Sequence, residues 1–395
     1  MRPLASRIGV LTGEGALSVF AHANELERQG KSIIHLELGE PDFHADKPVL
    51  DALKAALEGG KDRYCNVAGV PALREEIASY LSRTRSITVD SNHIVIAPGC
   101  KIALFLAMMA LLEAEDEVLY PEPGFPGYPS ITRGFGGVCV PYLLTEKNRM
   151  QPDPDEIAAK ITPRTKVIVT CSPNNPTGSV TSDAVQRRIA ELAVRHDLYV
   201  VSDEIYGRIV YNGEYFSMLR YPGMAQRTLI VDGFSKSFAM TGWRLGYTIA
   251  PAHIVAAMTM LAINSYTCVA EFTQYAAIEA LRDSDSAVPR MVAEFAKRGA
   301  RFAGGLNRVP GFRCLAPEGA FYAWVNVSET GLSAEEVCHI MLENAGVAAI
   351  PGAAFGPSAR EFVRFSFASS IEKLDEALAR IMKVSSVWQS VAAHR

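Results

Sequence analysis

Between about residues 93 and 250 short apolar runs recur along the chain: HIVIAPG, DEVLYP, KVIVTCSP, LYVVSDEIY, TLIVDGFS and LGYTIAP. Several are rich in Val and Ile, and each gives way to Pro, Gly, Ser or Asp, the punctuation that ends a buried strand. Between them lie stretches with apolar residues at helical spacing, such as KIALFLAMMALL (101–112) and SDAVQRRIAELAVRH (182–196). The alternation predicts an α/β fold with a mostly parallel sheet covered by helices. Ligands of such sheets sit beyond the carboxyl ends of the strands, so the strand ends are the places to look for chemistry. The last third changes character. There GAFYAWVNV and FVRFSFASS read as strands flanked by helices, which predicts a smaller α+β domain. The expected division is 1–45 as an N-terminal segment contributing to the small domain, 46–280 as the large domain and 281–395 as the small C-terminal domain.

Composition narrows the class of partner. Of 395 residues 49% are hydrophobic and 21% charged, and 39 basic residues face 43 acidic ones for a net charge of −4. That balance provides no electrostatic footprint for nucleic acid or an anionic membrane, so small molecules are the expected partners. Seven cysteines, odd in number and without a C-x-x-C pair, fit reduced thiols better than a disulfide frame or a zinc site. The first twenty residues hold no apolar run of signal-peptide length and no later segment approaches a membrane span, which makes the cytoplasm the expected location.

The common phosphate and nucleophile signatures are missing. TGEGALS has Ser18 where a dinucleotide fingerprint needs its last glycine and is preceded by no strand, so it reads as a loop; G-x-x-x-x-G-K-[ST], H-E-x-x-H and G-x-S-x-G do not occur. Four strand ends remain. SPNNPTG comes after KVIVTC and is on its own an ordinary turn, but at a strand end the Asn175 amide can donate to a ligand oxygen. Asp203 ends LYVVS; it either caps the next helix or, with Tyr206 a turn later, offers a partly buried carboxylate beside a phenol, which suits a cationic heterocycle. Gly99 and Cys100 open a helix whose first turn has no acid, leaving N–H groups for a phosphate, and Lys101 there runs against the dipole, so a nearby anion would explain it. In DGFSKSFAMTGWRLGY, Lys236 is an amine able to form a Schiff base if desolvated, while Ser235 and Arg244 suit a phosphate ester. An amine, a carboxylate, an amide with a phenol, and a phosphate cradle match the aldehyde, ring nitrogen, ring hydroxyl and phosphate of pyridoxal 5'-phosphate.

With those residues in place the chain resembles, nearly end to end, the class I pyridoxal-phosphate-dependent aminotransferases of the aspartate aminotransferase fold (fold type I). The matching stretches are LELGEPDF (36–43), RYCNVAGVPALRE (63–75), SPNNPTG, VSDEIY, SKSFAMTGWRLGY, EGAFYAW (318–324) and VRFSFASS (363–370). The resemblance implies that Lys236 binds the cofactor aldehyde and moves the proton, that Asp203 pairs with the ring nitrogen, and that Tyr206 and Asn175 bond the ring hydroxyl oxygen. It further implies that Ser235, Arg244 and the N–H groups around Gly99, Cys100 and Lys101 hold the phosphate, that Phe125 stacks on the ring, and that Tyr64 reaches in from the second subunit of a homodimer. Arg364 matches the guanidinium that grips the substrate α-carboxylate, helped by the backbone of Gly39. Phe125 could instead be core, and Arg364 could pair with a structural acid. Two departures stand out: Gly233 where many relatives have a phosphate-binding serine, and Phe125 where several aspartate-specific members have Trp.

The expected reaction is ping-pong transamination from an L-amino acid to a 2-oxo acid, 2-oxoglutarate foremost, with aspartate/glutamate-type or aromatic donors. Lys101 resembles a lysine that meets the distal carboxylate of acidic substrates; a solvated or phosphate-side lysine is the alternative. Lyases, decarboxylases and oxidases share the same cofactor residues, while a non-catalytic regulator would need a basic DNA-binding segment for which the chain has no room.

Overall fold

The computed structural model describes residues 2–393, with side chains as far as Trp388. In chain order the strands are β1 (Ile34–His35), β2 (Ile94–Ala97), β3 (Glu117–Glu122), β4 (Val138–Leu143), β5 (Thr165–Cys171), β6 (Tyr199–Asp203), β7 (Thr228–Gly233), β8 (Gly246–Ile249), β9 (Arg313–Cys314), β10 (Tyr322–Asn326), β11 (Val347–Ala348), β12 (Ile350–Pro351) and β13 (Phe362–Ser366). The first four helices are α1 (Gly15–Arg28), α2 (Lys47–Glu58), α3 (Pro71–Arg85) and α4 (Cys100–Leu111).

Strands β2 to β8 form one seven-stranded sheet in the order β2-β8-β7-β6-β5-β3-β4. All six runs expected as strands are there. The seventh, β4, is VCVPYL, a run interrupted by Pro141 at the sheet edge, where a residue without an N–H is tolerated. Six of the seven strands point the same way, and β8 alone is reversed, antiparallel to both its neighbours β2 and β7. A parallel return needs a crossover, usually helical, and between Gly233 and Gly246 the chain forms only the short 3-10 turn Thr241–Trp243. This reversal brings the start of β8, with Arg244 just ahead of it, to the same edge as the carboxyl ends of β2, β5, β6 and β7.

Burial explains the apolar strands. β2, β3 and β7 are buried along their whole length, and helices cover both faces. Helix α4 is apolar all round: Ala103, Leu104, Leu106, Ala107 and Met108 pack inward, while Phe105 and Met109 remain on the surface. At the sheet edge near the site, space is tight. A Cβ on Gly246 would lie 2.6 Å from the Cys100 nitrogen, so glycine is what lets β8 approach the start of α4.

A second, four-stranded antiparallel sheet, β12-β13-β10-β9, carries the C-terminal third. The expected strands GAFYAWVNV and FVRFSFASS are its central pair, β10 and β13, with Trp324 opposite Arg364. The N-terminal segment joins this region through β1, which pairs parallel with β11. One expectation fails here: TGEGALS does not end as a loop, because α1 begins at Gly15. Periodicity outweighs the glycines, for Ala16, Val19, Ala23 and Leu26 recur at three- and four-residue spacing and the last three pack with Ile33, Leu342 and Ala348.

Candidate active site

A cavity of about 330 Å³ opens at the carboxyl edge of the large sheet, between it and the smaller sheet. Gly39, Cys100, Lys101, Phe125, Asn175, Asp203, Tyr206, Ser235, Lys236, Arg244 and Arg364 all line it, and Gly99 adjoins it at the start of α4. Residues scattered over more than 300 positions of sequence therefore meet at one place. Tyr64 does not line the cavity; it is 88% exposed.

Lys236 lies just beyond β7 and donates to the carbonyl of Gly39. Burial, with Arg364 and Arg244 adding repulsion, lowers its pKa to about 8, although Cys100 and Glu40 pull the other way. A fraction of the amine is thus free of its proton near neutral pH, the form in which it is a nucleophile and a base.

Asp203 ends β6. Its carboxylate accepts from the Tyr128 hydroxyl at 2.7 Å and from the Ile205 nitrogen at 3.3 Å. No helix begins after it, so it caps nothing beyond this turn. Desolvation pushes its pKa up to about 6, with Asp232 and Glu204 adding repulsion against the two hydrogen bonds. The carboxylate has neutral donors only, and a cationic partner is what its surroundings lack. The phenol beside it is not Tyr206, as expected from the spacing, but Tyr128. The turn after β6 does not aim Tyr206 toward Asp203; its hydroxyl meets that of Tyr322 at 2.6 Å instead.

The start of α4 has no side-chain cap and no acid in its first turn. Gly99 has φ +87°, and a Cβ there would sit 2.5 Å from Nη2 of Arg244. Arg244 donates to the carbonyls of Thr241 at 2.9 Å and Pro98 at 3.4 Å. Its guanidinium thus stands over the free N–H groups of α4, a concave positive corner for an anion. Gly233 belongs to the same corner: a Cβ there would lie 2.7 Å from the α-carbon of Gly246 and 2.9 Å from the Cys100 sulfur. Cys100 fills the space that a larger residue at 233 would take.

Arg364, on β13, is buried. It donates from Nη1 to Asn175 Oδ1 at 3.0 Å and from Nη2 to the carbonyl of Glu37, and it lies over the rings of Tyr322 and Phe355. Among the described residues no structural acid forms an ion pair with it. Burial lowers its pKa, yet the guanidinium stays charged, and an anion entering the cavity would be drawn to it. Lys101 has the neighbouring anion that its position called for: it pairs with Glu14 and lies 5.8 Å from the centre of the Phe125 ring.

Beneath the site sits a buried triad that no sequence motif announces. Arg85, the last residue of α3, bonds both Glu204 and Asp232, which flank the ends of β6 and β7. Glu204 also accepts from Ser217 at 2.9 Å and Asp232 from Tyr247 at 2.9 Å. The triad ties together the two strand ends that carry Asp203 and Lys236. Tyr128, Tyr322 and Glu14 are further site residues outside the sequence expectations, although Tyr128 stands three residues after Phe125 and Tyr322 falls within the matching stretch EGAFYAW.

Comparison with known proteins settles what this arrangement belongs to. The family model for aminotransferase class I and II matches residues 31–381. The chain belongs to that family. It is 37% identical to an aspartate aminotransferase of Pyrococcus horikoshii over 96% of both chains, and 36% identical to aromatic-amino-acid aminotransferase 2 of Thermococcus litoralis over 96% of this chain and 98% of that one. Among solved structures it is similar to the aspartate aminotransferase of Thermus thermophilus with maleate, with a TM-score of 0.93 and 38% identity, covering 97% of this chain and all of the other. The α/β fold with its large, mostly parallel sheet is therefore the fold type I expected for this aminotransferase, and family membership implies pyridoxal phosphate as cofactor. The relatives' names divide between acidic and aromatic substrates at nearly equal identity, so only the site itself can separate the two.

Proposed function

We propose that this aminotransferase uses pyridoxal 5'-phosphate to move the amino group of an L-amino acid to a 2-oxo acid, with 2-oxoglutarate as acceptor, in two half-reactions that share one site. The observation that carries this reading is the meeting, on adjacent strand ends that line one cavity, of a buried carboxylate at Asp203 without a cation and a buried amine at Lys236 whose lowered pKa leaves part of it unprotonated near neutral pH. Bound there, the cofactor supplies an electron sink for the carbon that loses its proton. Asp203 keeps the ring nitrogen charged, Asn175 and Tyr206 hold the ring oxygen, and Phe125 covers one ring face. Ser235, Arg244 and the N–H groups of Gly99, Cys100 and Lys101 hold the phosphate. Lys236 takes the proton from the substrate Cα and returns it on the other side of the transfer. Arg364, with Asn175 and the backbone of Gly39, fixes the α-carboxylate, so that the Cα–H bond faces Lys236.

We place Lys101 against the distal carboxylate of an acidic substrate. Of the four cations lining the cavity, Lys236, Arg244 and Arg364 have tasks, and Lys101 is the one left at the mouth. We also infer a homodimer with Tyr64 completing the phosphate site of the neighbouring subunit. Supporting it are the exposed Tyr64 and an uncovered apolar face where α4 packs on the helix Ala252–Ile263, with Phe105, Met109, Met260 and Ile263 all on the surface. The division into a large domain over 46–280 and a small one over 281–395 with the N-terminal segment agrees with the two sheets, and the cytoplasm is the compartment we assign.

A panel of amino donors against 2-oxoglutarate, with the new keto acid and amino acid both measured, tests the reaction. One-to-one formation of both is expected; a keto acid without a matching amino acid, or no change in the cofactor's spectrum on adding any donor, would refute it. Lys101→Ala should lower kcat/KM for acidic donors by about tenfold more than for aromatic ones, a charge-assisted contact of roughly 1.4 kcal/mol. Equal losses on both would remove Lys101 from substrate recognition.

A further inference from the structure

We propose that Glu14 is a specificity residue of this site, a resident carboxylate that holds Lys101 in place of the distal carboxylate of a substrate and so tilts the enzyme away from dicarboxylic and toward neutral, aromatic side chains. The proposal rests on the assignment of Lys101 to the distal carboxylate.

Glu14 sits where a fixed competitor should. It is the residue before α1, in the position from which side chains often cap a helix, yet it makes no capping hydrogen bond. Its carboxylate turns to Lys101 instead. The backbone around it is pinned on two sides. Thr12 donates from its nitrogen to Ser130 Oγ at 3.0 Å, and Gly15 comes so close to the smaller sheet's region that a Cβ on it would lie 2.7 Å from the Ala354 Cβ. Glu14 is therefore delivered to the cavity mouth by packing, and not by a free surface side chain finding a partner.

The consequence is electrostatic. With Glu14 in contact, the ammonium of Lys101 is already neutralised, and what the mouth offers beside the pair is the apolar surface of Leu17 and Ala354. A neutral aromatic side chain can lie there and leave the pair intact. A distal carboxylate must either push Glu14 aside or share one ammonium with it, placing two like charges within a few ångström. The Glu14 and Lys101 side chains are 28% and 54% exposed, so water screens part of this penalty. Removing the Glu14 charge should then improve dicarboxylate binding by about fivefold, and the gain should shrink at high salt.

The experiment uses the cofactor-loaded enzyme and two unreactive competitors, maleate as the dicarboxylate and 3-phenylpropanoate as the aromatic monocarboxylate, in wild type, Glu14→Gln, Glu14→Ala and Lys101→Gln. The expected result is that both Glu14 variants raise the selectivity for maleate over 3-phenylpropanoate about fivefold, while Lys101→Gln lowers it. If the Glu14 variants leave the selectivity unchanged, or weaken both competitors alike, the proposal is overturned while a selective loss in Lys101→Gln keeps the Lys101 assignment alive. If Lys101→Gln also leaves the selectivity unchanged, the Lys101 assignment falls and the proposal falls with it.

Discussion

Replacing Asp203 with Asn should make the cofactor-free protein more stable at pH 8 and less stable near pH 4. The wild-type carboxyl has its pKa raised from 3.8 to about 6, chiefly by desolvation. An acid with a raised folded pKa binds its proton more tightly in the folded state. Its contribution is therefore fully present below pH 3.8 and is lost as pH rises through 6. At about 1.4 kcal/mol for each unit, the loss comes to about 3 kcal/mol above pH 7, with roughly half of it falling between pH 5 and 8. Asn is neutral throughout and escapes this loss. It also has one carbonyl oxygen where the carboxylate uses two, for Tyr128 and Ile205, so one hydrogen bond disappears at a cost of about 1 kcal/mol. The balance is a variant about 2 kcal/mol more stable at pH 8 and about 1 kcal/mol less stable below pH 4, with the two curves crossing in between.

Urea unfolding of the cofactor-free proteins from pH 5 to 8, monitored through the three tryptophans, reads the part of this change accessible without acid denaturation. The same titrations with pyridoxal phosphate present should reverse the order at pH 8. A ligand at a hundred times its Kd stabilises by about 2.7 kcal/mol, and the variant, without an anion for the ring nitrogen, should gain much less. If Asp203→Asn lowers stability by the same amount at every pH, the carboxylate is adequately solvated and the account of Asp203 as an anion awaiting a cation fails.

Arg364→Lys should lower kcat/KM by roughly a hundredfold for acidic and aromatic donors alike, about 2.7 kcal/mol for losing a planar two-point grip on the α-carboxylate that every substrate carries; a loss confined to one class would move Arg364 to side-chain recognition. Gly233→Ser should cost about 1 to 3 kcal/mol of stability through overpacking, measured by urea midpoint, and adding Cys100→Ala should recover only part of it, since the Gly246 backbone would still stand 2.7 Å from the new side chain; full recovery would mean that the sulfur alone closes the space.

Much of the fold was legible because its signal is local. Runs such as IVIA and VIVT must be buried on both faces of a sheet, and all six such runs are strands. The direction of β8 was not local: nothing within GYTI distinguishes a parallel from an antiparallel strand, and what decides it is the connection before it, which forms no crossover helix. The N-terminal helix was hidden for a different reason, since the glycines of TGEGALS mask the period of the residues after them.

The site divides along the same line. Lys236, Asp203 and Asn175 could be singled out because each puts a charge or an amide where an apolar strand ends, whereas Arg364, in the middle of β13, stood out only through the family resemblance. Tyr128, Tyr322 and the Arg85 triad interrupt nothing, for aromatic residues and helix-terminal arginines are ordinary wherever they stand, and only the fold shows Tyr128 and Arg85 facing carboxylates and Tyr322 facing the Tyr206 hydroxyl and Arg364. Gly233 marks the limit of judging a position by itself. As a missing serine it suggests a weakened phosphate site; next to Gly246 and the Cys100 sulfur it is one half of a packing solution, in which the residue at 100 occupies the volume that a side chain at 233 would need. The corner we propose for the phosphate is therefore packed jointly by residues 99, 100, 233, 244 and 246, and a substitution at any one of them has to be judged against the other four.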